Sequence, residues 1–254
     1  MEKTEVAAGD LFSIKAIRCD PANLGTADCS CICRCEDGSD YAIKTDKPIP
    51  AAPHSEWLCY HLGERVGLAS PPCRVVELLD KALFFGSRWE TGEVKSWWLK
   101  VQSGKIDIDD LKSSLSRIFA FDLFVHNPDR HLRNFLIRKQ RQGFAVIAMD
   151  YSRAWLANGV PPPDIPLLPG CNTIQAHRIL ARIQPKFFVF DEAKTVLSNI
   201  SKVKTIEIKN IIQRHPTQWL SHNELTGIID WWESPKREQR ITKILTGLSD
   251  GTCR

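Results

Sequence analysis

No apolar run in the 254 residues approaches the ~18 that a membrane-crossing helix requires. The opening MEKTEVAAGDLFSIKAI lacks a basic start followed by an apolar core, so it does not read as a secretion signal. Both absences predict a cytoplasmic protein with no membrane partner. Charge of one sign is also lacking, because 34 basic against 30 acidic residues leave only +4. That balance is too mild to steer a chain to nucleic acid, and direct nucleic-acid binding is not expected. Internal repeats and low-complexity tracts are missing as well.

Of the nine cysteines, Cys29, Cys31, Cys33 and Cys35 fall at every second position, which is strand spacing and points all four to one face. Zinc sites instead draw ligand pairs from C-x2-C turns or from separate elements. The four are therefore expected as small apolar side chains on the inner face of a strand, not as metal ligands. A disulfide framework is not expected in a chain without a secretion signal.

What is present suffices for a core, with 43% hydrophobic residues. Over the first ~100 residues, CSCICRC, EDGS and DYAIKT predict a hairpin, and VVELL and ALFFGSRW predict further strands. Between them, Trp57, Leu58, Leu62 and Val66 recur at helical spacing, and Gly67, Pro71 and Pro72 then end the helix. From Asp109 the character changes. Leu111, Leu115, Ile118, Asp122 and Val125 share one helix face, and the polar stretch HNPDRHLRN then leads into a hairpin of FLIR and FAVIAMD. A proline-rich loop from Val160 to Gly170 follows, and everything after Asn172 has helical periodicity. The pattern predicts an α+β chain of two lobes. A mixed, β-rich lobe over 1–100 would precede a mostly helical lobe over 101–254, with a ligand cleft between them. The pairs Trp97-Trp98 and Trp231-Trp232 are candidate interface anchors, although paired tryptophans ordinarily divide into one buried and one half-buried.

The chemistry concentrates at His126 to Asn134. Phosphoryl-transfer sites place an Asp that accepts the substrate hydroxyl proton five residues before a metal-binding Asn, with a second metal-binding Asp after a short hairpin. Asp129, Asn134 and Asp150 stand at these spacings. Four intervening residues let both loop side chains point into one cleft, and the hairpin returns the chain so that Asp150 reaches the same cations. Polar residues in loops also cap turns, so D-x4-N alone would not carry this reading; its weight comes from the joint pattern.

Asn127-Pro128-Asp129-Arg130-His131-Leu132-Arg133-Asn134 resembles the N-x-D-x-H-x-x-N loop of HipA-like serine/threonine kinases, and Ala148-Met149-Asp150-Tyr151-Ser152 stands where that superfamily carries its metal-binding Asp. The resemblance extends in outline over roughly Asn23 to Leu248. It implies a protein-kinase-like fold using ATP and Mg2+, with Asp129 deprotonating the acceptor and Asn134 and Asp150 on the metal. Tyr41-Ala42-Ile43-Lys44 is similar to the kinase V-A-I-K strand, whose lysine binds the phosphates, and Glu56 lies where its ion-pair partner would be. Gly25, Thr26 and Ser30 belong to a small-residue loop in the place of the glycine-rich phosphate loop, with one glycine where G-x-G-x-x-G has three. The family's self-phosphorylation implies a modifiable hydroxyl at Thr26 or Ser30. Departures are the missing H-R-D and A-P-E, Ser152 in place of the D-F-G glycine, and His126 where the HipA-like loop has glycine.

Asp122 is a carboxylate on an otherwise apolar face. It is expected either to accept bonds from backbone amides of the 126–131 loop and so hold Asp129 in place, or to turn to water at the helix end. His131 is expected to brace the same loop. The resemblance implies a protein substrate and a possible antitoxin-like or regulatory protein partner. Because D-R-H-x-x-N also resembles phosphoinositide kinases, a lipid or small-molecule kinase is one alternative, although 160–170 contains no Lys or Arg to meet a membrane. A catalytically weak kinase-fold binding or toxin-type module is the other.

Overall fold

The computed structural model describes residues 13–21, 29–164 and 167–253. Its first half is built on five strands, β1 (Ile14–Pro21), β2 (Cys31–Cys35), β3 (Asp40–Lys44), β4 (Cys73–Glu77) and β5 (Leu83–Arg88). They close into a barrel in the order β1-β2-β3-β5-β4. Every pairing is antiparallel except the seam, where Ile14 and Lys15 pair in parallel with Val76 and Glu77. Alternation along each strand sends Ala16, Cys33, Cys35, Tyr41, Ile43 and Val76 inward. So small a barrel has no room for a side chain at every inner position. A Cβ on Gly86 would sit 2.6 Å from Val76 Cγ2 and 3.2 Å from Tyr41 Cβ, which is why β5 carries glycine there.

The predicted hairpin is β2–β3, and Cys31, Cys33 and Cys35 face the barrel interior as expected, whereas Cys29 lies ahead of β2 and lines the cleft instead. A second expectation fails, because Cys19 and Cys33 are joined by a disulfide. The cause is β1, a strand not anticipated from the sequence, whose register sets Cys19 directly opposite Cys33.

Helix α1 (Ala52–Arg65) begins with proline in its first turn and ends ahead of Gly67, whose φ of +85° only glycine adopts freely. It is buried on nearly every side, not along one stripe, because β5 lies against it on one side and a later helix on the other. Ser55 Oγ donates to the Tyr151 carbonyl at 2.7 Å, and Trp57 Nε1 donates to the Ile211 carbonyl at 2.8 Å. A short helix α2 (Trp97–Gln102), also not anticipated, precedes α3 (Lys112–Phe124). The hairpin β6 (Phe135–Lys139) and β7 (Phe144–Ala148) follows. The tail is α4 (Asn172–Ile183), α5 (Phe190–Lys202), α6 (Thr205–Ile212), α7 (His222–Glu233) and α8 (Lys236–Asp250).

One large core runs from α1 and α3 through the tail. Trp231 and Trp232 are both buried in it, packed on Trp155, so this pair is not available as an interface anchor; Trp97 is buried and Trp98 half-buried. Trp219 Nε1 donates to the Leu83 carbonyl at 2.8 Å and so ties the tail back to β5. Among the described residues no helix is long and apolar enough to cross a membrane.

Candidate active site

Lys44 ends β3, where strand alternation turns it off the barrel and into a cleft of about 690 Å3. Its Nζ lies 3.0 Å from Asp150 Oδ1 and 3.7 Å from Glu56 Oε1, so strand, helix and hairpin each contribute one member of an ion-pair cluster. Ser152 Oγ donates to Glu56 Oε1 at 2.8 Å and lies 3.1 Å from Asp150 Oδ1. The residue that replaces the D-F-G glycine thus links the two carboxylates.

Burial disfavours every charge in this cluster, and the pairings decide which survive. For Lys44 burial pulls the pKa down, but Asp150 and Glu56 together outweigh it and hold the ammonium above its ordinary value. Asp150 is held below the usual carboxylate range, because Lys44 and Arg130 outweigh its own burial. Glu56 is fully buried, its Oε2 has no hydrogen-bond partner, and burial pushes it up to about 7 against the pull of Lys44.

Asp150 reaches the cluster because of the hairpin register. Phe135 pairs with Ala148, so Asn134 and Asp150 extend from neighbouring strand ends, and the Met149 N–H donates to the Asn134 carbonyl at 3.3 Å. Asp150 has φ +66°, in the left-handed region that a non-glycine residue occupies only when its surroundings fix it there. Asn134 is buried and its Nδ2 donates to the Asp129 carbonyl at 3.2 Å, which closes the five-residue loop on itself. The Asn134 side-chain oxygen and the Asp150 carboxylate are hard oxygen donors of the kind Mg2+ prefers.

Asp129 lies at the wall of the same cleft. Its Oδ1 accepts from Asn172 Nδ2 at 2.5 Å and its Oδ2 is 3.2 Å from Arg153 Nε. Neither residue was singled out from the sequence, and Asn172 lies far along the chain at the start of α4, so no local spacing could have revealed it. Leu132, Met149, Ala42 and Tyr60 line the cleft with apolar surface, together with Trp89 and Trp98 at its rim.

Asp122 is fully buried, which removes the solvent-facing alternative. Its partners also differ from the backbone amides expected. Arg130 grips it in bidentate fashion, Nε to Oδ2 at 2.9 Å and Nη2 to Oδ1 at 3.0 Å, and Asn127 Nδ2 adds a third bond at 2.9 Å. Arg130 Nη1 donates to the carbonyls of Asn134, at 3.1 Å, and Met149, and the guanidinium stacks 4.5 Å from the Tyr151 ring centroid. One buried side chain therefore links α3, the loop and both hairpin ends, a reach that helix periodicity cannot show. The brace expected of His131 comes from Arg130 instead. His131 gives only its carbonyl to the Asn134 N–H, and its ring lines the cleft.

His126 has φ +49°, the conformation for which the HipA-like loop uses glycine. Asn158 Nδ2 donates to its carbonyl at 3.2 Å and holds it there. Ser30 does not join the cleft. Its hydroxyl is 2.8 Å from Thr45 Oγ1, on the side of the chain opposite Cys29, and it is Cys29 that lines the cavity. Gly25 and Thr26 lie outside the described residues.

Residues 23–160, more than half of the chain, match the family model described as HipA-like kinase. No curated protein matches the sequence. Among solved structures, the chain is similar to the crystal structure of a Helicobacter pylori proinflammatory kinase, CtkA, at TM-score 0.59 and 14% identity over 95% of this chain and 100% of that one.

Proposed function

Because this chain belongs to the HipA-like kinase family, we propose that it transfers the γ-phosphoryl group of ATP, with Mg2+, to the hydroxyl of a protein serine or threonine. The observation that carries the reading is the convergence of Lys44, Asp150, Asn134 and Asp129 on one cleft from three different segments. The strand-rich residues 1–100 would act as the nucleotide lobe and 101–254 as the catalytic lobe.

Lys44, held between Asp150 and Glu56, presents its ammonium to the phosphates. Asp150 and Asn134 would hold Mg2+, which when bound would neutralise charge on the transferring group. Asp129 orients the acceptor and takes its proton as the new O–P bond forms and the bond to the departing ADP breaks. Asn172 and Arg153 aim the Asp129 carboxylate, and the acceptor hydroxyl must enter beside them.

Two variants test the division of labour. Asp129→Ala should keep Mg2+-dependent ATP binding while phosphoryl transfer falls by about 10^2 to 10^4-fold, since only the proton acceptor is removed. Asp150→Ala should lose the ATP affinity itself, since it removes a hard oxygen ligand. Calorimetry and labelled-ATP turnover on the same samples decide both. Unchanged turnover in Asp129→Ala would remove its assigned role.

A further inference from the structure

The cysteines of the barrel form a group that the cleft does not use. The cysteine spacing of one strand alone does not suit a metal, but strand pairing brings a ligand from another. Cys19 of β1 lies opposite Cys33 of β2, and Cys31 is the next residue of β2 on the same face. The Sγ atoms of Cys19, Cys31 and Cys33 lie within 4.8 Å of one another, and Cys31 Sγ is 3.5 Å from Cys33 Sγ. We propose that, when reduced, Cys19, Cys31 and Cys33 form a three-thiolate site for a thiophilic d10 cation, Zn2+ or Cu+, and that the Cys19–Cys33 disulfide is the oxidised form of the same site.

Three observations converge on this assignment. A disulfide uses two sulfurs and leaves the third in contact with them, whereas a cation uses all three. Thiolates bound at about 2.3 Å around one ion are spaced roughly 3.7 to 4.0 Å apart, and Cys31 Sγ, 3.5 Å from Cys33 Sγ, already stands near that spacing. Cys33 is fully buried while Cys19 and Cys31 are half-buried, so one side of the cluster opens to solvent for the ion to enter and for water to complete its coordination. A thiol must give up its proton to become a thiolate ligand when the cation binds. Affinity therefore rises with pH. The site does not depend on the phosphoryl-transfer reading, and its test reads no kinase activity.

The full chain is first treated with a phosphine, which takes its oxygen from water and becomes the phosphine oxide while the two sulfurs take up the two protons as thiols. The reduced protein is then titrated anaerobically with Zn2+ and, separately, with Cu+, each against a chromophoric chelator. Alkylation and peptide mapping follow, with and without metal. The expected result is one cation per chain with at least one of the two metals, and protection of Cys19, Cys31 and Cys33 but not of Cys171. Cys31→Ser, which leaves the disulfide pair intact, should lose this binding, and Cys171→Ser should keep it; circular dichroism checks that both fold. Failure of the wild type to hold either metal against the chelator, or equal binding by Cys31→Ser, would overturn the site and leave a plain disulfide.

Discussion

Arg130 brings a full charge to a place water does not reach, and Asp122 meets it there with both oxygens. Removing one member of such a pair leaves the other charge buried and alone, which typically costs about 3–5 kcal/mol. Arg130→Met should lower the unfolding free energy by that order, and the double variant Asp122→Leu/Arg130→Met should recover much of the loss. A double-mutant cycle in urea checks it; purely additive losses would show that the two residues are not coupled. Glu56 gives a second residue-scale outcome, with a sign fixed by linkage. Its folded pKa is raised from 4.5 to about 7, so the native state holds a proton that the unfolded chain has released, and this residue's contribution to stability falls as pH rises through that window. Glu56→Gln should remove that fall. Urea midpoints of wild type and variant, followed across the window, should diverge as pH rises, with the wild type losing ground.

At the scale of elements, α8 supports the loop from behind. Arg240 Nε and Nη2 donate to the carbonyls of Phe124 and Leu123 at 2.8 and 3.0 Å, and Nη1 donates to Pro163 at 2.5 Å. It thus caps the end of α3 just ahead of His126 and pins the proline-rich loop. Each bond from a charged donor is worth about 1.5–3 kcal/mol, so Arg240→Met should cost about 3 kcal/mol or more and shift amide exchange first at the end of α3. Hydrogen exchange read by peptide checks where the loss begins. Nothing in the alternation of α8 distinguishes this arginine from a solvated one, and the same limit runs through the site. Lys44, Asn134 and Asp150 were legible because a strand, a tight loop and a hairpin are local objects with fixed spacings. The bonds of Asn172 to Asp129 and of Arg130 to Asp122 and Met149 join separate elements, and only packing decides them. Of the fold, the β2–β3 hairpin and the tail helices could be read from period and punctuation. β1 could not be, because IKAIRCDP ends on proline and exposes most of its residues, and its place is set by partners at both barrel edges.

For the molecule as a whole, two buried histidines favour the neutral form and so bear on stability in acid. His54 is well below its ordinary value and His215 is lowered to about 4, both through burial, and their rings meet edge to face at 4.6 Å. Both nitrogens of His54 lack hydrogen-bond partners. Depressed histidines stabilise the fold above their unfolded pKa of 6.5, and that contribution is lost as pH falls toward about 4. For His215 alone the loss amounts to about 3 kcal/mol. Thermal melts should therefore drop below about pH 6.5. His54→Phe, which keeps a ring in the same packing, should lessen the drop; an unchanged acid profile would place the sensitivity elsewhere.

The two indole bonds described with the fold, from Trp57 to Ile211 and from Trp219 to Leu83, join the strand-rich half to the helical tail at separate points. They are not the only ties, because Ser55 Oγ also donates to the Tyr151 carbonyl, the Ala148 N–H to the Ala69 carbonyl and Ser152 Oγ to Glu56. The walls of the cleft are therefore fastened to one another before any ligand enters, and Lys44 meets Asp150 without a closing movement.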